Sequence, residues 1–315
     1  MLAPLSLTND KTYHKSAKHI DFVVEVTCKT TMYLFKAIFV YASIFCQLTA
    51  VGAFDVSAEE YLSMGSSALS MDNFDEAVKH YKNGIAVLGE QNELVTVLSL
   101  YTNLGTTLSS LEREGEAVDA YRKALTIFTE TIDNLKNERE IQESKGIASQ
   151  ASFFLAMVYQ SLGRNRLAAD TYALANTIDP YHWSSLGNLG AILHDKLGSH
   201  EEALIAYNKA YEILTQTEVE PTDPPENPRF MLAELQYRIG LCIIHNVNRR
   251  CALVDDPATE VPCKELATNA FSTAVKFNPD HESARHMMAT ITADATMKRA
   301  SNTYVKSLFD NYAKK

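Results

Sequence analysis

Residues 189–210 read LGAILHDKLGSHEEALIAYNKA. A Leu189-Gly190 pair opens the stretch, and Ala203, Tyr207 and Ala210 close it at spacings of four and three. Side chains so spaced share one face of a helix, so the stripe reads as the buried face of the second helix of a pair. The pattern returns as Ala77/Tyr81/Gly84, Ala117/Tyr121/Ala124, Ala168/Tyr172/Ala175 and Ala267/Phe271/Ala274. Each copy follows an upstream apolar–small pair: Met64-Gly65, Leu104-Gly105, Leu155-Ala156 and Ile239-Gly240. A bundle without true repeats also buries Ala and Tyr, but ordinary helices do not hold one phase through five copies. The chain is therefore expected to be an all-α solenoid of helical hairpins. The small member of the pair precedes the Ala by 12 positions in three units and by 13 in the fourth, where an extra residue falls near Leu197-Gly198. Turns are expected at Met71-Asp72-Asn73, Glu114-Gly115, Leu162-Gly163-Arg164 and Leu197-Gly198-Ser199, where Gly permits the left-handed conformation that ends a helix.

With these residues in view, the chain resembles the tetratricopeptide repeat (TPR) family, whose units carry a Leu-Gly pair, then Ala, an aromatic and a closing Pro. Pro180 and Pro279 stand 12 residues after Ala168 and Ala267, where the closing Pro belongs. Trp183, the single Trp, lies away from the family's usual aromatic position, which Tyr61 and Tyr101 fill in the first two units. The resemblance covers about residues 56–290. It implies a right-handed superhelix that binds a protein or peptide partner in its concave groove.

A net charge of −10 argues against nucleic acid, which selects a basic stripe. The 17 residues Ala37–Ala53 carry no charge and follow Lys36. They are short for a membrane span and suit a signal-peptide core ending at Val51-Gly52-Ala53. An uncleaved anchor and a buried helix are the alternatives, and Met32 is a candidate start. Phe54 after the small residues resembles plastid-entry leaders. A leader of this kind is expected to direct the chain to the secretory pathway or an organelle, membrane-anchored if it stays uncleaved; a membrane is otherwise not an expected partner. Residues 1–53 are thus an N-terminal extension, 56–290 the solenoid and 291–315 a capping helix.

Cys242 lies on an apolar helix face and is expected in the core. Cys251 and Cys263 fall in an insertion, Asn246–Pro262; they would close a loop in an oxidising lumen and stay free thiols in a reducing one. Neither they nor the nine histidines show metal-ligand spacing, and His281 and His286 read as surface or interhelix residues. No metal, cofactor or catalytic residue is expected. The charged run Glu130–Lys145 is expected to lengthen a helix with a solvated face, and Thr215–Pro228, with four prolines, to be an exposed loop.

The first helices of such hairpins line the groove, and Asn103 and Asn188 are placed to face it. A known TPR use is to clamp a partner's C-terminal carboxylate, which also needs Lys or Arg on the adjoining helix. Ser149–Leu162 carries none, so a neutral polar groove for a helical or extended peptide is expected. Phe153, Phe154 and Tyr159 lie near it and read mostly as core.

The tail, His281–Lys315, holds Ala284-Arg285-His286-Met287-Met288-Ala289 and then ASNTYVKSLFDNYA from Ala300 to Ala313. Tyr304-Val305, Leu308-Phe309-Asp310 and Tyr312-Ala313 keep the register of the junction in TPR-containing class I methyltransferases. That resemblance implies the substrate-recruiting part of an S-adenosylmethionine-dependent methyltransferase. The family's catalytic domain would begin at the chain's last residue, and no strand followed by a Gly-rich cofactor loop occurs before it. A cap for the solenoid is the plainer reading of the same helix. The leading expectation is a non-catalytic interaction scaffold.

Overall fold

A computed structural model describes residues 56–89, 93–216, 225–245, 250–252 and 260–292. Eleven helices carry the described fold: α1 Ala58–Ser70, α2 Phe74–Ala86, α3 Leu94–Ser110, α4 Glu114–Thr131, α5 Glu138–Ser161, α6 Asn165–Ile178, α7 Trp183–Ile192, α8 His200–Thr215, α9 Pro228–Ile244, α10 Cys263–Phe277 and α11 Glu282–Thr292. Two three-residue strands, β1 Arg250–Ala252 and β2 Glu260–Pro262, pair antiparallel inside the insertion of the fifth hairpin. The chain forms two compact units, one ending at Ser185 and the other beginning at Leu186. In the first, α1 packs on α2, α3 on α4 and α5 on α6, and each hairpin packs on the next. In the second, α8 packs on α9, α9 on α10 and α10 on α11. The fold is an all-α solenoid of helical hairpins.

The stripe read from the sequence is the core. Ala77, Ala117, Ala168, Ala203 and Ala267 are fully buried, and Tyr81, Tyr121, Tyr172, Tyr207 and Phe271 are no more than 2 % exposed. The small partner on the first helix receives the ring. A Cβ placed on Gly105 would lie 2.7 Å from the Tyr121 ring, and one on Gly190 would lie 2.8 Å from Tyr207. The apolar partner is less uniform: Leu104, Leu155 and Ile239 are buried, whereas Met64 is 45 % exposed.

The ring hydroxyls need partners in this dry core. Tyr81 meets Ser66 Oγ at 3.3 Å, and Tyr121 donates to Thr106 Oγ1 at 3.1 Å. Both hydroxyl partners, Ser66 and Thr106, stand one residue after the Gly of their pair. Tyr172 donates to Gln160 Oε1 at 3.1 Å. In the fourth hairpin the residue after Gly190 is Ala191, and the buried Tyr207 hydroxyl has no hydrogen-bond partner. In the fifth, Phe271 dispenses with the hydroxyl. Tyr207→Phe should therefore raise unfolding free energy by about 1 kcal/mol, because it removes an unsatisfied polar group. Urea denaturation checks this, and a loss of stability would show that the hydroxyl is bonded.

Burial also sets a pH limit. It pushes the Tyr81 phenol up to about 12, against weaker opposition from Ser66 and Asn103, and pushes Tyr172 and Tyr207 up further. Above about pH 10 these tyrosines ionise in the unfolded chain and not in the folded one. The unfolded state then binds fewer protons, so stability falls as pH rises, by about 1.4 kcal/mol per pH unit for each ring. Phenolate absorbance during an alkaline titration should rise together with loss of helix for these residues. Full tyrosine ionisation with intact helices would contradict the burial.

Helix ends follow local chemistry. Ser57 and Glu60 form a reciprocal capping box at α1, with bonds of 3.2 and 2.8 Å. Asn227 caps α9, with Pro228 in the first turn. Gly163 and Gly198 take positive φ in the turns after α5 and α7, as expected. Asp72 and Glu112 adopt the same conformation in the first two hairpins. The second turn is thus Leu111-Glu112-Arg113 rather than the expected Glu114-Gly115, because α4 already begins at Glu114.

The charged run divides between two helices. It ends α4, passes through a 3₁₀ turn at Ile132–Asn134 and lengthens the start of α5. Its face is mostly solvated, but Glu140 accepts the Leu94 amide at 3.1 Å and so caps α3. Cys251 and Cys263 form a disulfide that ties β1 to the first residue of α10. Residues 1–53 and the tail from 293 lie outside the described residues, as does 217–224 of the expected loop Thr215–Pro228, whose two ends prove helical: Thr215 closes α8 and Pro228 opens α9. Among those described, no helix is long and apolar enough to cross a membrane.

Candidate functional site

Asn103 sits half-buried on α3, in the first unit, with its side chain against the Tyr81 hydroxyl. Asn188 is buried on α7, in the second unit. Phe153 is buried among Phe154, Tyr172 and His182, with ring centroids 5.2–5.7 Å apart. Tyr159 is also buried, so these aromatics are core as expected, with Phe154 partly exposed.

Two histidines work as helix caps. His182 Nδ1 accepts the Ser185 amide at 3.3 Å, and His281 Nδ1 accepts the Ala284 amide at 3.2 Å. Each follows an Asx turn, Asp179–Tyr181 or Asn278–Asp280, just after the closing Pro position. His281 is thus an interhelix residue and is buried.

The densest polar chemistry lies in the second unit. The 13-residue spacing of the fourth unit is taken up by a wide π-helical turn, Leu193–Leu197, between α7 and α8. π turns commonly hold one inserted residue and mark functional sites. This one carries His194 and Asp195. Asp195 joins His194 Nδ1 at 2.8 Å through Oδ1 and Arg238 at 3.1 Å through Oδ2. Arg238, on α9, donates from Nε to Glu234 Oε1 at 2.8 Å, and Glu234 Oε2 faces His281 Nε2 at 3.4 Å. Arg238 and Glu234 are 3 % and 6 % exposed. Burial alone would raise the Asp195 carboxyl, but the His194 hydrogen bond and the Arg238 charge hold it below the usual range. Burial also disfavours charge on Arg238, yet the Glu234 and Asp195 carboxylates keep it firmly ionised. Burial pushes the nearby Cys242 thiol up to about 12, which makes it an inert core residue rather than a nucleophile.

Beside this network stand three imidazoles. His194 comes from the wide turn, His200 opens α8 and His245 follows the last turn of α9. Ring centroids lie 4.9 Å apart for His194 and His200, 5.5 Å for His194 and His245, and 3.7 Å for the stacked pair His200 and His245. Burial, then the neighbouring imidazoles, lowers His200 and His245 below the ordinary histidine range. Spacing along the chain did not single out this cluster. The only sequence signal was the extra residue in the fourth unit.

The geometry defines a class first: paired helices repeated about small–aromatic contacts, an α-solenoid. Residues 58–130, 149–182 and 184–213 match family models described as tetratricopeptide repeat, so the chain carries TPR units, a repeat type typical of protein–protein interaction. The apo form of RapI is similar in fold, with a TM-score of 0.58 at 13 % identity over 87 % of this chain and 68 % of that one. YrrB, described as a TPR protein with an unusual peptide-binding site, matches with a TM-score of 0.47 at 18 % identity over 79 % and 96 % of the two chains. A tetratricopeptide repeat protein from Parabacteroides merdae matches with a TM-score of 0.46 at 18 % identity over 74 % and 72 %. Nothing among curated proteins matches the sequence.

Proposed function

We propose that the chain is a non-catalytic interaction scaffold that holds a peptide or protein partner on the first-helix faces of its hairpins, with Asn103 as a contacting residue in the first unit; Asn188 is buried and stands behind that surface in its own unit. The observation that carries this reading is the hairpin series itself: each second helix spends its Ala–aromatic face on stacking. Asn103, half-exposed on a first helix, offers both a donor and an acceptor to an extended backbone. Affinity capture from the source cell's extract, followed by mass spectrometry, identifies the partner. Asn103→Asp keeps the shape but removes the amide donors, and should weaken that partner by about tenfold. Undiminished binding would move the contact elsewhere.

The apolar segment Ala37–Ala53 supports delivery to the secretory route or an organelle, and the Cys251–Cys263 bond is the kind that persists in an oxidising compartment. The mass of the mature N-terminus tests this: an intact segment Ala37–Ala53 would exclude cleavage. A second reading, the substrate-recruiting part of a methyltransferase, is favoured by the tail register of Tyr304-Val305 and Leu308-Phe309-Asp310. A strand and Gly-rich loop encoded downstream of Lys315 would support it.

A further inference from the structure

We propose that His194, His200 and His245 form a binding site for a divalent first-row transition-metal ion, with Zn2+ the fitting occupant. Each residue offers one ring nitrogen, and the three lie within 4.8 Å of one another. Four-coordinate Zn2+ takes imidazole nitrogens at about 2.0–2.1 Å, which places them roughly 3.3 Å apart. His200 and His245 are stacked nearly parallel, so their rings must turn for the nitrogens to converge on one ion, and His245, the exposed member, has the most room to do so.

The buried member is already set for ligation. His194 is 5 % exposed, and its Nε2 is buried with no hydrogen-bond partner. Its Nδ1 is engaged by Asp195, which leaves Nε2 as the free ligand atom when Nδ1 carries the proton. A carboxylate on the far nitrogen is how metal-binding histidines are oriented and made more basic. Arg238 in turn fixes Asp195, so the ring is held from behind. His200 Nδ1 is likewise buried without a partner. Two buried nitrogens that lack partners, on rings whose centroids lie 4.9 Å apart, are costly unless something is bound there.

Charge and ligand type agree. Asp195 and Glu234 oppose one guanidinium, so with neutral imidazoles the network carries one net negative charge behind the rings. Three imidazoles suit Zn2+, Cu2+ or Ni2+ over the hard cations Mg2+ and Ca2+, which take oxygen. A bound ion would tie the wide turn, the start of α8 and the end of α9 together, and would leave a fourth position for water or a partner's side chain.

The test uses the full chain, stripped with chelator and titrated with Zn2+ against a chromophoric competitor. One Zn2+ per chain is expected, and the unfolding midpoint should rise with Zn2+ concentration. His245→Ala, at an exposed position that leaves the core intact, should bind Zn2+ about 100-fold more weakly and lose the midpoint shift. Asp195→Asn should weaken binding by about tenfold. His286→Ala, away from the cluster, should bind like wild type. The proposal is overturned if folded wild type retains no Zn2+, if His245→Ala binds as wild type does, or if one ion bridges two chains.

Discussion

Replacing Tyr121 with Ala will lower unfolding free energy by about 3–5 kcal/mol, the range for truncating a large buried aromatic. The ring is 1 % exposed, lies against Gly105, packs near Phe154 at 6.2 Å and donates to Thr106. No neighbour can refill the space without shifting α3 against α4, because the contact is side chain to backbone. Tyr121→Phe should lose only about 1 kcal/mol, the hydrogen bond alone. Urea denaturation gives both values, and a loss below 1 kcal/mol for the alanine variant would mean that the hairpin register is wrong.

Arg238→Met should cost about 3–5 kcal/mol at neutral pH, because it strands two buried carboxylates without their cation. Asp195 then loses a charge that holds its carboxyl below the usual range, and Glu234 loses its ion-pair partner. The pH dependence separates this from a packing loss. In wild type the Asp195 carboxyl is depressed, so its contribution is present above about pH 4 and declines as pH falls through its folded pKa. In the variant the stranded carboxylates gain by taking up protons, so the gap from wild type should shrink as pH drops toward 4. A gap that is constant with pH would assign the loss to shape. Adding Asp195→Asn and Glu234→Gln should recover part of it, since a buried ion pair often contributes little net stability.

The repeat was legible because its signal is local. Ala203, Tyr207 and Ala210 lie within two helical turns, and their spacing is the packing geometry itself. The turn at Glu112 was not legible, since an acidic residue in the left-handed region leaves no mark and Gly115 nearby offers a false one. Asp195 and Arg238 are 43 residues apart, and single charges read as solvated until the fold buries them. The same holds for His194, His200 and His245, which no short spacing connects. The Cys251–Cys263 pairing depended on β1 meeting β2 in register, and the sequence left it open.

Adding one residue to a straight α-helix rotates everything beyond it by about 100°. Here the wide turn at Leu193–Leu197 absorbs that rotation, and the Gly190–Tyr207 contact survives as close as its counterparts. A repeat array can therefore gain a codon at a helix end and keep its scaffold unchanged. The newly bulged segment is then free to carry groups that the packing code would forbid. Chemistry can be grafted onto such a spine without re-evolving its core.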